Sequence, residues 1–204
     1  MAFIETDTLD AATARRLEEG ATVLLTPKAA KNTVGPLFTN DYWNYAMFKT
    51  ISENNRKTVS PGTLGYLIES GHGALASFPT DTHTDWQWWC IAQHTRPLIL
   101  DGAPTELHPI VRAIDNVNRC HSMGVLMELR VGCGRLMLCM CDLKAISLWT
   151  EGRAFARSIR QYMTSRAFNP TDTLTVAQLR ALLDGERHEE NIKGVENISD
   201  YAQP

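Results

Sequence analysis

The sequence lacks the features that mark membrane proteins and nucleic-acid-binding proteins. No apolar run approaches the roughly 20 residues that a membrane-spanning helix needs. The first residues after Met1 show no charged segment followed by an apolar one, as a secretory leader would. The 20 basic and 23 acidic residues give a formal charge of −3 and are mixed along the chain, so no basic stripe is available to neutralise phosphates. We therefore expect neither a membrane span nor a nucleic-acid partner.

Sequence motifs of common cofactor and catalytic sites are also missing. There is no glycine-rich phosphate loop of the Rossmann or Walker type, so no nucleotide cofactor is predicted. There is no Gly-x-Ser-x-Gly or Gly-x-Cys-x-Gly elbow, and Cys133 lies between glycines where a hairpin turn is expected. Cys139 and Cys141 lie two apart on a predicted strand, a spacing that argues against a zinc knuckle. We predict no cofactor, no metal and five thiols that are mostly buried.

The apolar pattern predicts an α/β fold. A strand at residues 2–5, a helix that starts after Asp10 and stops at Gly20, and an apolar strand at 22–25 are typical of a parallel sheet covered on both faces. Strands are also predicted near 96–100 and 110–114. Because the first strand begins at residue 2, we expect the chain to be part of a larger protein.

The second half of the chain predicts a β-hairpin followed by two helices. Residues 125–131 alternate, and the apolar run 136–141 follows a glycine-containing turn, so the second hairpin strand is expected to be central. A helix is predicted from 151 to 163 with Thr150 as its cap, and a capping box at Thr175 starts a last helix that ends at Gly185. We predict one domain over residues 1–185 and a polar tail over 186–204.

The stretch from Phe78 to Trp89 contains three indoles, two carboxylates and one imidazole within twelve positions. Such a cluster is typical of a lined cleft, an aromatic platform for sugar rings or an interface. The alternative is a core corner whose indole N–H groups bond to neighbouring carboxylates. Asp115 and Asn116, at a strand end, either join the same cleft or start a turn. The candidate site residues are Asp81, His83, Asp85, Trp86, Trp88, Trp89, Asp115 and Asn116.

Two further hypotheses come from the residue pattern. Asp81, His83 and Asp85 could perform general acid/base chemistry on a glycosidic bond, or could form a hydrogen-bonded loop that positions the indoles. The irregular segment from Pro27 to Pro61 carries an aromatic patch from Tyr42 to Phe48 and is typical of a lid or a docking surface.

The chain resembles a known group of bacterial proteins over residues 3–165. Segments 75–81 and 85–89, then 96–101, 109–116 and 128–142, resemble the C-terminal region of the glycoside hydrolase family 2 sugar-binding group. The most specific element is the Phe-Pro-Thr-Asp to Trp-Gln-Trp-Trp segment. One departure is His72-Gly73, where that group usually has His-Pro.

The resemblance implies an accessory domain of a β-galactosidase-like enzyme. Its fold would be a flavodoxin-like or class I glutamine amidotransferase-like three-layer sandwich with a mostly parallel sheet and a C-terminal β-hairpin. Such accessory domains lack the amidotransferase Cys–His–Glu triad, and the catalytic glutamates of the hydrolase belong to a separate barrel domain. The resemblance also implies an exported parent, whose signal would precede Met1.

Our leading hypothesis is a non-catalytic accessory domain that packs on the catalytic domain of its parent glycoside hydrolase and contacts carbohydrate through the Trp-rich loop. The first alternative is a free-standing carbohydrate hydrolase that uses Asp81, His83 and Asp85. The second is an oligomerisation module that buries Trp43 and the surrounding patch in a homo-oligomer.

Overall fold

The computed structural model describes residues 2–35, 63–115 and 120–185. The predicted aromatic patch 42–48, Asn116 and the predicted tail 186–204 lie outside this part of the chain. The strands are β1 Ile4–Thr6, β2 Thr22–Leu25, β3 Gly65–Ile68, β4 Leu98–Ile99, β5 Val111–Ile114, β6 Met123–Val131, β7 Gly134–Cys139 and β8 Thr173–Leu174. The helices are α1 Ala11–Glu18, α2 Trp89–Gln93, α3 Thr150–Thr164 and α4 Val176–Asp184. None of these helices is long and apolar enough to cross a bilayer.

All eight strands form one mixed sheet. Six of them follow the order β1-β2-β7-β6-β5-β3, and both β4 and β8 also pair with β6. The pairs β1–β2, β2–β7 and β6–β8 are parallel, whereas β3–β5, β4–β6, β5–β6 and β6–β7 are antiparallel. The sheet is therefore mostly antiparallel.

This topology shows that the predicted flavodoxin-like or glutamine amidotransferase-like sandwich with a mostly parallel sheet is wrong. The parallel prediction rested on apolar runs such as 22–25, and β2 is indeed parallel to both of its neighbours. However, an apolar run indicates that both faces of a strand are buried, and it does not indicate the direction of the strand relative to its neighbours. The short connection between β6 and β7 admits only an antiparallel pair.

Helices cover both faces of the sheet, so its central strands are buried on both sides. Along β7, Met137 and Cys139 point into one apolar cluster, and Leu136 and Leu138 point into the other. The first cluster includes residues of α2 and α3, and the second includes residues of α1 and α4. The predicted hairpin with a central second strand is confirmed, since β7 lies between β2 and β6.

Capping at the helix ends follows the sequence closely, with one difference. Asp10 caps α1 by accepting the Thr13 N–H at 2.7 Å, as predicted. The Thr175 hydroxyl and the Gln178 side chain form the predicted capping box of α4. In α3, however, Thr150 is the first helical residue and Trp149 occupies the cap position without a side-chain cap bond. The expected Thr150 cap is therefore wrong by one residue.

Candidate functional site

The Trp-rich segment forms a short 3-10 turn that runs directly into α2. The turn spans Trp86–Trp88, and the Asp85 side chain caps it by accepting the Gln87 N–H at 3.0 Å. The Gln87 side-chain amide donates to the Pro79 carbonyl oxygen at 2.9 Å. These two bonds tie the turn to the preceding loop, so the three indoles are presented by an anchored piece of backbone.

Trp88 is the core anchor of the segment. Its side chain is fully buried and meets the rings of Tyr66, Phe78 and Phe155 edge-on, with centroid distances of 5.8, 5.2 and 5.5 Å. Its indole N–H donates to the Thr80 hydroxyl at 2.8 Å. The core-corner interpretation therefore describes Trp88, although the acceptor is a hydroxyl and not a carboxylate.

Trp86 and Trp89 lie at the surface. Trp86 is 85% exposed and Trp89 is 47% exposed. Their ring centroids are 5.9 Å apart, and the ring planes are inclined by 51°. Because indole rings usually bury most of their large apolar surface, an exposed pair on an anchored turn is a typical contact surface for a ligand or a partner.

The predicted polar site residues in this segment do not form an enclosed centre. Asp81, His83 and Asp85 are all exposed. The backbone of His83 forms an antiparallel bridge with Leu67 on the edge strand β3, and Asp85 serves as the cap of the turn. This arrangement favours the hydrogen-bonded loop over an acid/base site, since general acids usually work in clefts that exclude water.

Asp115 belongs to a separate loop cluster at the end of β5. Its carboxylate accepts the His121 N–H at 2.9 Å. The His121 ring in turn contacts the Asp101 carboxylate at 2.6 Å, and Asp101 also accepts the Ser122 N–H at 2.8 Å. Asp115 thus links the end of β5 to the segment that leads into β6.

A part-buried polar cluster around Glu128 on β6 was missed by the sequence reasoning. The Tyr162 hydroxyl donates to the Glu128 carboxylate at 2.8 Å, and the His72 Nε2 lies 3.9 Å from the same carboxylate. Burial, followed by the bond to the negative Glu128, raises the pKa of Tyr162 above its usual value. The sequence signal was Glu128 itself, the acidic residue of a mostly apolar strand. The residues that it contacts come from distant parts of the chain.

The cysteines divide into a buried group and an exposed group. Cys90, Cys139 and Cys141 are buried, whereas Cys120 and Cys133 are exposed. The prediction that the thiols are mostly buried is confirmed. Burial raises the pKa of the Cys139 thiol to about 12 and also raises the pKa values of Cys90 and Cys141. Among the described residues, no group of three His, Cys, Asp or Glu side chains could hold a metal ion.

We expect thiol reagents to separate these two groups. Alkylation requires an accessible thiolate, so iodoacetamide should modify Cys120 and Cys133 in the folded protein and leave the buried three unmodified. Peptide mass spectrometry over time measures this directly, and Cys133→Ser should remove one fast site. All five should react in denaturant. Modification of Cys139 at the rate of Cys133 under native conditions would contradict the burial.

The comparisons with known proteins give a family but no activity. A family model described as "Domain of unknown function (DUF8487)" matches residues 4–184, which is most of the chain. No curated protein matches the sequence.

Proposed function

We propose that this chain, which belongs to the DUF8487 family, is a non-catalytic module that binds carbohydrate and supports a separate glycoside hydrolase domain. The observation that carries the proposal is the exposed pair of Trp86 and Trp89 on an anchored turn. The hydrolase partner rests on the resemblance of the Trp-rich segment and its neighbouring strands to the glycoside hydrolase family 2 sugar-binding group.

The Trp86–Trp89 pair suits a sugar ring for a physical reason. A pyranose has apolar C–H faces and a polar rim, and an indole offers an apolar face with one polar N–H edge. Because the turn is fixed by the buried Trp88 and the Asp85 cap, little conformational entropy is lost when a ligand binds. The 51° inclination of the two rings forms a shallow corner rather than a flat surface.

A catalytic role for this segment has less support. The Asp81 and His83 side chains are exposed, and the Asp85 carboxylate is occupied as a helix cap. The proposed module therefore releases no reducing sugar on its own. Detectable hydrolysis of an oligosaccharide panel by the purified chain, abolished by Asp81→Asn or Asp85→Asn, would favour the free-standing hydrolase instead.

Titration with oligosaccharides tests the binding role. Covering the face of one indole is worth about 1.5–3 kcal/mol, so Trp86→Ala or Trp89→Ala should weaken binding by roughly tenfold or more. Calorimetry and indole fluorescence measure the affinity. The matched control is Trp149→Ala, which removes another part-exposed indole, one that contacts His94 at a centroid distance of 5.1 Å. No response at millimolar ligand, or an equal loss in the control, would contradict the proposal.

A further inference from the structure

Three cationic residues line a groove beside the turn that follows β2. The groove has a volume of about 560 Å³ and is lined by Lys28, Ala29, Ala30, Lys31 and Arg96. This volume is within the range of roughly 300–1,000 Å³ that is usual for small-molecule sites. The two lysines belong to the turn, whereas Arg96 comes from the segment before β4. The positive charges are therefore brought together by the fold and not by a basic run in the sequence.

The groove lies outside the carboxyl ends of two neighbouring parallel strands. β2 ends at Leu25 and β7 ends at Cys139, and the two strands pair in parallel. Lys28 follows the first end and Asp142 follows the second, and their side chains form an ion pair at 3.1 Å across the gap. The helix before β2, α1, packs on one face of the sheet, and the helix after β7, α3, packs on the other. Ligands of open α/β sheets usually bind in the crevice at such a point.

The Arg96 guanidinium is anchored by its backbone and by a side-chain bond. The backbone N–H donates to the Met140 carbonyl oxygen at 3.1 Å, directly after β7. The side-chain Nε donates to the Thr33 hydroxyl at 3.3 Å, which restricts the plane of the guanidinium. A restricted side chain loses less conformational entropy when a ligand arrives. Because the attraction between charges acts over several ångströms, Arg96 contributes to the groove while it keeps this bond.

The two lysines give the groove an excess of positive charge. Lys28 pairs with the Oδ2 of Asp142, whose Oδ1 accepts the Lys144 and Ala145 N–H groups, both at 3.0 Å. Exposed ion pairs of this kind contribute little free energy, so Lys28 can move toward a ligand at low cost. Lys31 is also exposed. The lining thus carries three cations, and one carboxylate is paired with them.

Other carboxylates of this region line a neighbouring depression. It shares only two residues with the groove, Ala29 and Ala30. Its charged residues are Asp7, Asp10, Arg180 and Asp184. The turn therefore borders a mostly negative depression and a positive groove. Since a ligand binds most readily where the charge is opposite to its own, the groove favours anions.

We propose that this groove binds an oxyanion, a carboxylate, sulfate or phosphate group carried by a small ligand, and that Lys28, Lys31 and Arg96 supply the positive charge. Ala29 and Ala30 offer small apolar surface to the uncharged part of the ligand. Trp86 and Trp89 do not line the groove. The anion site is therefore distinct from the proposed carbohydrate platform and goes beyond it.

Chemical-shift titration of the whole chain tests the groove with named probes. Sodium phosphate, sodium sulfate, glucuronate and glycerol phosphate are added separately to millimolar concentration, and sodium chloride keeps the ionic strength constant. We expect a saturable shift of the Ala29 and Ala30 amides and of the Arg96 Nε–H signal. Neutral methyl glucoside should cause no such shift. Because salt screens exposed charges, a second series at higher sodium chloride should show weaker binding.

The order of affinities identifies the source of the anion. Tightest binding of glucuronate would assign a carboxylate on a sugar ring, and tightest binding of glycerol phosphate would assign a phosphate ester. Tightest binding of phosphate or sulfate would assign the free inorganic ion. Each of these results supports the site.

Charge-removing variants with a matched control locate the binding. Lys28→Gln and Lys31→Gln each remove one cation at an exposed position, so each should weaken anion binding by about fivefold. The double variant should lose more. Arg157→Gln is the control, because it removes one positive charge from an exposed position of α3 that does not line the groove. Its affinity for each anion should match that of the parent protein.

Three results would overturn the groove proposal. One is the absence of saturable shifts at Ala29, Ala30 and Arg96 with every anion. Another is unchanged affinity in the double lysine variant. The last is an equal loss of affinity in Arg157→Gln, which would mean that the anions respond to the net charge of the chain and not to the groove.

The outcome is separable from that of the carbohydrate platform. The Trp86→Ala/Trp89→Ala double variant should keep the anion-induced shifts at Ala29 and Ala30, and loss of these shifts would contradict a distinct site. Conversely, failure of neutral oligosaccharides to bind at the indoles, with the anion-induced shifts retained, would contradict the platform and leave the groove proposal standing.

Discussion

Replacing Trp88 with alanine should lower the free energy of unfolding by about 3–5 kcal/mol, the usual cost of removing a buried aromatic ring. The side chain is fully buried, and three aromatic rings pack edge-on against it. The Thr80 hydroxyl would also lose the indole N–H that it accepts. Since domains of this size are usually stable by only about 5–15 kcal/mol, the variant should be close to unfolding at physiological temperature.

The matched control for this prediction is Trp86→Ala, two positions earlier in the same turn. Trp86 is 85% exposed, so its removal should change the free energy of unfolding by no more than about 0.5 kcal/mol. Urea denaturation followed by far-UV circular dichroism measures both variants without relying on indole fluorescence. Equal destabilisation by the two substitutions would contradict the assignment of Trp88 as the anchor and Trp86 as a surface residue.

A second large effect is expected for Gly152→Ala in the first turn of α3. Within a helix this change normally stabilises by about 1 kcal/mol, because alanine is the better helix former. Here an added Cβ would clash with the Ile146 carbonyl oxygen and would lie 2.7 Å from the Ile146 Cβ. Since a backbone oxygen cannot rotate away as a side chain can, we expect the free energy of unfolding to fall by about 2 kcal/mol or more.

Gly71→Ala is the control, because the same chemical change there meets no atom within 4 Å. Its stability should stay within about 0.5 kcal/mol of the parent protein. Thermal and urea denaturation of both variants check the comparison. An increase in stability for Gly152→Ala would mean that helix propensity outweighs the contact with Ile146, and that the 3-10 turn Ala145–Leu148, which contains Ile146, can move aside.

The two predictions bear on function because both residues support the surface that carries the indole pair. Trp88 and Phe155 share one apolar cluster, and Phe155 lies on α3 one turn after Gly152. If the proposed sugar binding holds, a variant that loosens this packing should weaken it, because the positions of Trp86 and Trp89 would change. Trp86→Ala, in contrast, should weaken the proposed binding without lowering the free energy of unfolding. The two variants together therefore distinguish an indole that contacts the ligand from an indole that holds the turn in place.

Local features of the fold could be predicted from the sequence because they depend on neighbouring residues. The Asp10 cap, the capping box at Thr175 and the hairpin turn at Gly132, where φ is +60°, are all decided within a few positions. Burial of Cys139 and Cys141 was predictable from the apolar run around them. The strands β3 and β8 were not predicted, since short strands at the sheet margin carry little periodic signal.

The sequence by itself determined that indoles, carboxylates and an imidazole would be clustered in one twelve-residue segment, and that strands would be buried on both faces. Only the tertiary structure decided which indole is buried, because Trp86, Trp88 and Trp89 have similar local preferences and differ only in whether Tyr66, Phe78 and Phe155 surround them. Strand direction was decided in the same way. An apolar strand can be equally buried in a parallel or an antiparallel pair. The direction of pairing therefore depends on the connections between distant segments and not on the sequence of the strand itself.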